Sequence, residues 1–163
     1  MENKIIMKLH KPLVLLAFFL LFSCDKLAVY QKMDTKFENN RWLKTDSKIH
    51  SINIEEESSY TLFFDFSHVY DFQFSEIPIQ FRIESPDGTL RVEKIKLAIK
   101  DENGKDKGEC MGDVCDLRQA VFKDRLLKKG NYSISISHLF NGEYLPNVIG
   151  IGLRMERTKK IKP

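Results

Sequence analysis

The sequence predicts an all-β protein: an antiparallel β-sandwich of the jelly-roll or immunoglobulin-like kind, with about seven or eight strands. Short segments alternate apolar and polar residues, as half-buried strands do. Turn signals such as Ser85-Pro86-Asp87-Gly88 separate these segments, because proline presets φ and glycine accepts a positive φ. No long segment shows the helical spacing of apolar residues. A single open barrel is the second possibility.

The N-terminus has the features of a bacterial lipoprotein signal. A basic stretch, 1–11, precedes an unbroken apolar run at 13–22. Ten helical residues span only about 15 Å, against about 30 Å for a bilayer's hydrocarbon core, so we expect no transmembrane helix here. A plain secretory signal would not account for Cys24 directly after the small residue Ser23. We therefore predict a lipoprotein signal peptide over 1–23, with the lipid on the thiol of Cys24.

The remaining chain divides into three parts. Residues 24–40 are polar and lack periodicity, which indicates a lipidated N-terminus and tether, and 41–157 form the predicted sandwich domain. Residues 158–163 are expected to be a frayed basic tail. The strands are predicted from inward-facing apolar residues at Ile52 and Ile54; at Tyr60, Leu62, Phe64 and Phe66; at Ile77, Ile79, Phe81 and Ile83; within 120–127; at Tyr132, Ile134 and Ile136; and at Ile149, Ile151, Leu153 and Met155.

In one predicted strand, at 90–99, the alternation of apolar and polar residues shifts by one position. Its apolar residues move from even to odd numbers, in the order Leu90, Val92, Ile95, Leu97 and Ile99. A β-bulge adds one residue to a strand and so exchanges the faces of the residues that follow it. We therefore predict a bulge near Glu93 and Lys94, which would let all five apolar residues face the core.

Charge and motifs argue against several classes of protein. Removal of 1–23 takes away three basic residues and one acidic residue, so the formal net charge falls from +3 to +1, and we expect no nucleic-acid partner. The sequence has no nucleophile-elbow, zinc-protease or phosphate-loop motif, so we expect neither enzymatic activity nor a cofactor. His50, His68 and His138 occur singly, which gives no zinc-binding pattern, and we expect no metal site.

The two other cysteines, Cys110 and Cys115, form an even pair close together in the chain. In the oxidising space outside the cytoplasm such a pair is expected to form a disulfide. Nearby, Asp101, Asn103 and Asp106 could offer oxygen ligands to Ca²⁺, but this pattern is more typical of a solvated hairpin turn.

Most aromatic residues fall at inward-facing positions, where they are expected to pack the core. Phe63 is an exception, because it lies on the polar side of its strand. We therefore take Phe63, together with Trp42 and Tyr144, as the candidate contact surface.

The order of motifs resembles that of the GldH family of gliding-motility lipoproteins, found in Bacteroidetes. The resemblance rests on the lipid-attachment signal, the early Arg41-Trp42 pair, the turn at 85–88, the glycine-rich loop at 104–113 and the closing segment 147–156. It covers essentially the whole mature chain. The family likeness implies an accessory of the gliding apparatus, which is associated with a protein-secretion machine, and it implies no known reaction. Only Cys24 carries over as a functional residue.

Two functions follow as hypotheses. The first is a membrane-anchored structural or assembly component of the gliding and secretion machinery, with other proteins of that complex as partners. The second is a periplasmic or surface glycan-binding lipoprotein. A contiguous exposed aromatic patch with neighbouring Asn, Asp or Arg side chains would favour glycan binding, whereas a flat mixed patch far from the anchor would favour the first. No dense acidic run follows Cys24, so we expect the periplasmic face of the outer membrane.

Overall fold

The computed structural model describes residues 27–158, and this part of the chain is built from strands. In chain order the strands are β1 (Ala28–Asp34), β2 (Trp42–Leu43), β3 (Lys48–Ile54), β4 (Ser58–Val69), β5 (Glu76–Glu84), β6 (Leu90–Ala98), β7 (Glu109–Met111), β8 (Val114–Leu127), β9 (Gly130–His138), β10 (Tyr144–Leu145) and β11 (Val148–Arg157). A single 3-10 turn, Glu38–Asn40, separates β1 from β2. Within 27–158 there is no helix of the length and hydrophobicity that a membrane crossing requires.

The strands form two antiparallel sheets and a small ribbon. The first sheet has the order β1-β11-β4-β8-β7, and the second has the order β3-β9-β5-β6. The short strands β2 and β10 pair only with each other. The predicted all-β, antiparallel fold is therefore confirmed. The strands that exceed the predicted number are mainly the short ones, β2, β7 and β10.

The core lies between the two sheets and follows the predicted alternation. Fully buried side chains come from both sheets and include Tyr60, Leu62, Phe64 and Phe66 of β4, Ile77, Ile79 and Phe81 of β5, and Ile134 and Ile136 of β9. Across the interface the rings of Phe64 and Phe81 meet edge to face, with their centroids 5.4 Å apart. This arrangement suits the aromatic quadrupoles and joins the central strands of the two sheets.

The first strand corrects the predicted tether. Residues Ala28–Asp34 pair with β11, so the sandwich begins well before residue 41. Tyr30 is a partly buried hydrophobic residue of this strand that packs against the core. Local pattern does not reveal this strand, because β1 is an edge strand whose pairing depends on a partner at the other end of the chain.

The predicted bulge in β6 is also wrong. This strand pairs with β5 in unbroken register along its whole length. Leu90 and Val92 consequently face outwards, with 49% and 47% of their surface exposed. The inward positions at that end belong to Arg91 and Glu93. The inward-facing positions of β6 are therefore charged, and not apolar, at the end of the strand where the core ends.

A register shift does occur at the start of β11. It lies between Val148 and Gly150, where this strand pairs with β4. Val148 is fully buried as a result, whereas Ile149, predicted to face inwards, is only half-buried.

One lateral edge of the sandwich is closed by a histidine. His50 of β3 is buried, and its Nδ1 lies 2.9 Å from the Tyr30 hydroxyl of β1. Its Nε2 lies 3.1 Å from the Asp34 carboxylate, and neither of these two atoms has another hydrogen-bond partner in the described residues. A carboxylate oxygen only accepts, so the tautomer that serves both neighbours carries its proton on Nε2 and accepts the Tyr30 O–H at Nδ1.

The other lateral edge is closed by Gln119 of β8. Its Nε2 donates to the Lys96 carbonyl at 2.9 Å, and its Oε1 accepts the Ala98 N–H at 3.0 Å. The side-chain amide thus continues the hydrogen-bond ladder from the edge of β6. Backbone groups at the edge of a sheet otherwise have no partner within the ladder.

We predict that the free energy of unfolding falls as the pH decreases below about 6.5. Burial lowers the pKa of His50, against the opposing attraction of Asp34, and burial also lowers the pKa of His138. The unfolded chain therefore binds protons at pH values where the folded chain does not, beginning near the ordinary histidine pKa of about 6.5. Urea unfolding at about pH 7.5 and about pH 5.5 measures the loss.

The variants His50→Gln and His138→Gln test the cause. Each should lose less stability over this pH interval than the parent chain, because one titrating group has been removed. A pH dependence that is identical in the parent and in both variants would contradict the assignment.

Candidate functional site

The outer face of the first sheet carries a cleft that the strand register explains. Alternate residues of β1, β11, β4 and β8 point away from the core, and pairing places them in cross-strand rows. One row runs Gln31, Arg154, Phe63 and Ala120; the next runs Met33, Gly152, Asp65 and Arg118; the third contains Gly150, Ser67 and Asp116. Two adjacent rows therefore have a glycine on β11, and a depression forms beside the polar side chains of β4.

The depression, which we call the outer cleft, has a volume of about 550 Å³. Gln31 and Met33 border it on one side, and residues 107–109 border it on the other. Asp65, Ser67 and Arg154 lie on this outward face, yet each is no more than 9% exposed. A cleft of this size with converging polar groups falls within the range of small-molecule and peptide sites.

Two arginines on the outer face of the first sheet, Arg118 and Arg154, have polar partners there. Arg118 donates to both oxygens of Asp65, with distances of 2.6 Å from Nε and 3.1 Å from Nη2. Arg154 donates from Nη1 to Gln31 at 2.7 Å and from Nε to Glu156. Two-point contacts between guanidinium and carboxylate fix the geometry of both groups. The contacts therefore hold both guanidinium groups in place on this face.

The same geometry does not assemble a nucleophile with its base. The Ser67 hydroxyl donates to the Asp116 carboxylate, and the neighbouring His68 lies on the opposite face of the strand. His68 is buried against the ring of Phe72, with centroids 5.0 Å apart. The nearest histidine in sequence is thus separated from the serine by the sheet itself.

The predicted disulfide is present. Cys110 of β7 and Cys115 of β8 face each other in the antiparallel ladder and are bonded. Asp106 approaches both sulfur atoms, but a disulfide offers no thiolate to a metal ion, so the group does not form a cysteine metal site. The bond instead locks a hairpin whose tip carries Met111, 89% exposed.

The three predicted contact residues do not lie together. Trp42 is fully buried: its Nε1 donates to the Asp46 carbonyl at 2.7 Å, and its ring meets that of His138 at 5.0 Å. The interpretation of Trp42 as a surface residue is therefore wrong. The β2–β10 ribbon covers one end of the core, and a pairing so distant in sequence gives no local signal.

The other two residues are half-buried on different parts of the fold. Tyr144 lies in the β2–β10 ribbon, with the guanidinium of Arg41 4.6 Å from its ring centroid. Phe63 lies on the outer face of the first sheet, 6.0 Å from the guanidinium of Arg118. Phe63 has two charged neighbours, Asp65 and Arg118, that the sequence did not predict. Only the register of β4 with β8 brings these three residues together.

The predicted lipidation site, Cys24, lies outside the described residues.

Taken together, these observations define an all-β protein of two packed antiparallel sheets. Residues 28–155 match the family model of the GldH lipoprotein, and the chain belongs to the GldH lipoprotein family. The gliding motility lipoprotein GldH of Flavobacterium johnsoniae is 24% identical over 156 residues, which cover 91% of this chain and 96% of that protein.

Likenesses to solved structures are weak. The family GH115 4-O-methyl-α-glucuronidase BtGH115A is 11% identical, with a TM-score of 0.46, over 84% of this chain and 18% of that one. A family 35 carbohydrate-binding module from Clostridium thermocellum is 11% identical, with a TM-score of 0.32, over 69% of this chain and 95% of that one. At these TM-scores the likenesses carry no argument about function.

We predict that Gly152→Ala destabilises the fold by about 1–3 kcal/mol, because overpacking forces backbone shifts. A Cβ at this position would lie 2.5 Å from the Lys32 carbonyl oxygen and 2.9 Å from the Met33 sulfur, so β1 would have to move away. Gly150→Ala is the matched control, since its nearest contacts would be at 3.4 Å, an ordinary separation. The control should change stability by about 1 kcal/mol or less. Urea unfolding of both variants measures the difference, and equal losses would show that β1 does not lie where described.

Proposed function

We propose that this chain is a lipid-anchored component of the gliding-motility apparatus, acting in the structure or assembly of that apparatus and of the associated secretion machinery. Membership of the GldH lipoprotein family supports the role in motility. The observation that carries the anchoring geometry is the position of β1, which begins at Ala28, four residues after the proposed lipid-bearing Cys24.

Strand pairing indicates which end of the sandwich would lie next to a lipid on Cys24. The N–H of Arg157 donates to the Leu27 carbonyl at 2.8 Å, so the chain enters the sandwich beside the end of β11. The turn between β3 and β4, the β5–β6 turn and the β8–β9 turn lie at this same end. We call it the anchor end. Three residues extend at most about 11 Å, so a lipid on Cys24 would hold the anchor end against the bilayer surface.

The opposite end then faces away from the membrane. It carries the starts of β3 and β11, the end of β4 and the disulfide hairpin, and we call it the distal end. Several large exposed side chains of the described residues lie there, among them Leu43, Tyr70, Met111 and Leu139, which are 49%, 59%, 89% and 40% exposed. Exposed aromatic residues and methionine are enriched in protein-protein contact surfaces, where a polar rim surrounds an apolar centre. We infer that the distal end contacts other proteins of the apparatus.

Glycan binding has less support. The stacking of sugar rings needs aromatic side chains exposed side by side, and the three candidates are separated, with Trp42 inside the core. The mixed distal end, far from the anchor, favours the structural role. We further propose that the protein is on the periplasmic face of the outer membrane, on the basis of the sequence that follows Cys24.

We predict that Cys24→Ser abolishes lipid anchoring, because serine lacks the thiol that forms the thioether. In detergent phase separation of cell envelopes, the parent protein should partition into the detergent phase with the mass of a lipidated chain. The variant should appear as uncleaved precursor or as a chain in the aqueous phase. The double variant Cys110→Ser/Cys115→Ser is the control and should remain in the detergent phase. Recovery of Cys24→Ser in that phase, at the parent's mass, would overturn the anchoring proposal.

We predict that Met111→Glu reduces gliding and the recovery of partner proteins, because it places a charge on the most exposed apolar side chain of the distal end. Colony spreading and affinity capture from solubilised membranes, in cells whose only copy is the variant, measure both effects. Val92→Glu is the control, since Val92 is an exposed apolar residue on β6 towards the anchor end. If both variants retain partners and gliding, the distal end is not the contact surface.

A further inference from the structure

The hydrophobic core opens at the anchor end. Most core residues are fully buried, and the four apolar ones with the largest residual exposure are Ile83 at 4%, Tyr132 at 5%, Leu127 at 7% and Phe122 at 8%. All four line a single cavity of about 230 Å³, together with Ile134 and Met155. We call this cavity the core mouth. These six residues form an apolar inner wall between the two sheets, and Ser85 and Thr89 of the β5–β6 turn add polar groups to the lining.

Two local features keep the core mouth open. On β6 the inward positions at this end are Arg91 and Glu93, as its unbroken register requires. On β8 a register shift opposite Tyr60 and Leu62 accompanies a positive φ of 50° at Asp124. The shift brings Arg125 towards β6, where its Nη1 lies 2.8 Å from Glu93. An ion pair between the sheets needs solvation, so this end does not close over the core.

The rim of the core mouth is positively charged. Arg91, Arg125, Lys128 and Lys129 line it, and Asp87 is the one acidic residue of the lining. Glu93 pairs with Arg125, which leaves an excess of two positive charges at the rim. Arg125 also lies over the Phe122 ring, 4.1 Å from its centroid, so the charged rim is in direct contact with the apolar wall. A cavity of this kind is complementary to a ligand with an apolar chain and an anionic head.

We propose that the core mouth binds an acyl chain that carries an anionic head group. The chain would enter between Phe122 and Ile134, and the head would be held by Lys128 and Lys129. The cavity is smaller than the range of about 300–1,000 Å³ usual for whole ligands, so it takes only part of the chain. If the bound chain belongs to a membrane phospholipid, the proposal rests on the proposed anchoring at Cys24, which turns this end towards the bilayer. If the bound chain belongs to a free fatty acid, the proposal does not depend on the anchoring.

A fluorescent fatty acid, 11-(dansylamino)undecanoic acid, provides the test. The protein is the full mature chain, residues 24–163, with Cys24→Ser, so that no attached lipid competes and the result is independent of anchoring. We expect saturable binding with increased dansyl emission. The double variant Lys128→Gln/Lys129→Gln should bind about tenfold more weakly, as expected from the loss of two partly exposed cationic contacts. The control Lys36→Gln/Lys44→Gln makes the same charge change at the distal end and should bind as the parent does.

Two further measurements decide the chemistry and the source. The neutral amide of the probe should bind the parent and the Lys128→Gln/Lys129→Gln variant equally, because it has no charge for the rim to recognise. Displacement of the acid probe by phosphatidylcholine vesicles that contain phosphatidylglycerol identifies a membrane lipid, and displacement by palmitate alone identifies a free fatty acid. Absence of saturable binding would overturn the proposal, and so would equal affinity of the acid probe for the parent and the rim variant. Either failure would leave the detergent-phase test of anchoring unaffected.

Discussion

The first strand of the sandwich pairs with the last, and three other features depend on that pairing. The register of β1 on β11 places Gln31 and Met33 at the border of the outer cleft. It also places Tyr30 and Asp34 beside His50, which closes the lateral edge between the two sheets. Finally, it fixes the entry of the chain beside the end of β11. Gly152 permits the close approach, because any side chain there would meet the backbone of β1.

Charged residues held on strands shape two parts of the surface. On the outer face of the first sheet, charged side chains of β4, β8 and β11 contact polar partners on neighbouring strands, next to two glycines of β11. At the anchor end, Arg91 and Glu93 continue the inward face of β6 beyond the last apolar residue. In both places the strand geometry holds the charges where a flexible loop would let them move into solvent. Charged side chains that are fixed in this way favour hydrogen-bonded contacts of defined geometry over long-range electrostatic attraction.

Local pattern predicted the parts of the fold that depend on neighbouring residues. The period of two at Ile77, Ile79, Phe81 and Ile83 identified a half-buried strand, and the cysteine pair identified a disulfide. Features that depend on distant pairing were missed. Local pattern predicts a tether at β1, whose partner lies at the other end of the chain, and a surface position for Trp42, which β10 covers only in the fold. The parity change in β6 marks the end of the core and not the predicted bulge. The outer cleft could not be predicted, because its members come together through cross-strand register alone.

The pairing of first and last strands has a consequence for how the chain reaches this state. The contact between Gln31 and Arg154 joins residues 123 positions apart, so the ribosome releases β1 long before its partner exists. Contacts of such high sequence separation slow folding, because loop-closure entropy must be overcome before they form. Until β11 arrives, the edge of β4 that it will cover has open backbone groups, and such an edge is prone to pair with other chains. The first sheet can therefore be completed only after the last strand has been synthesised, and until then the chain has not acquired its native fold.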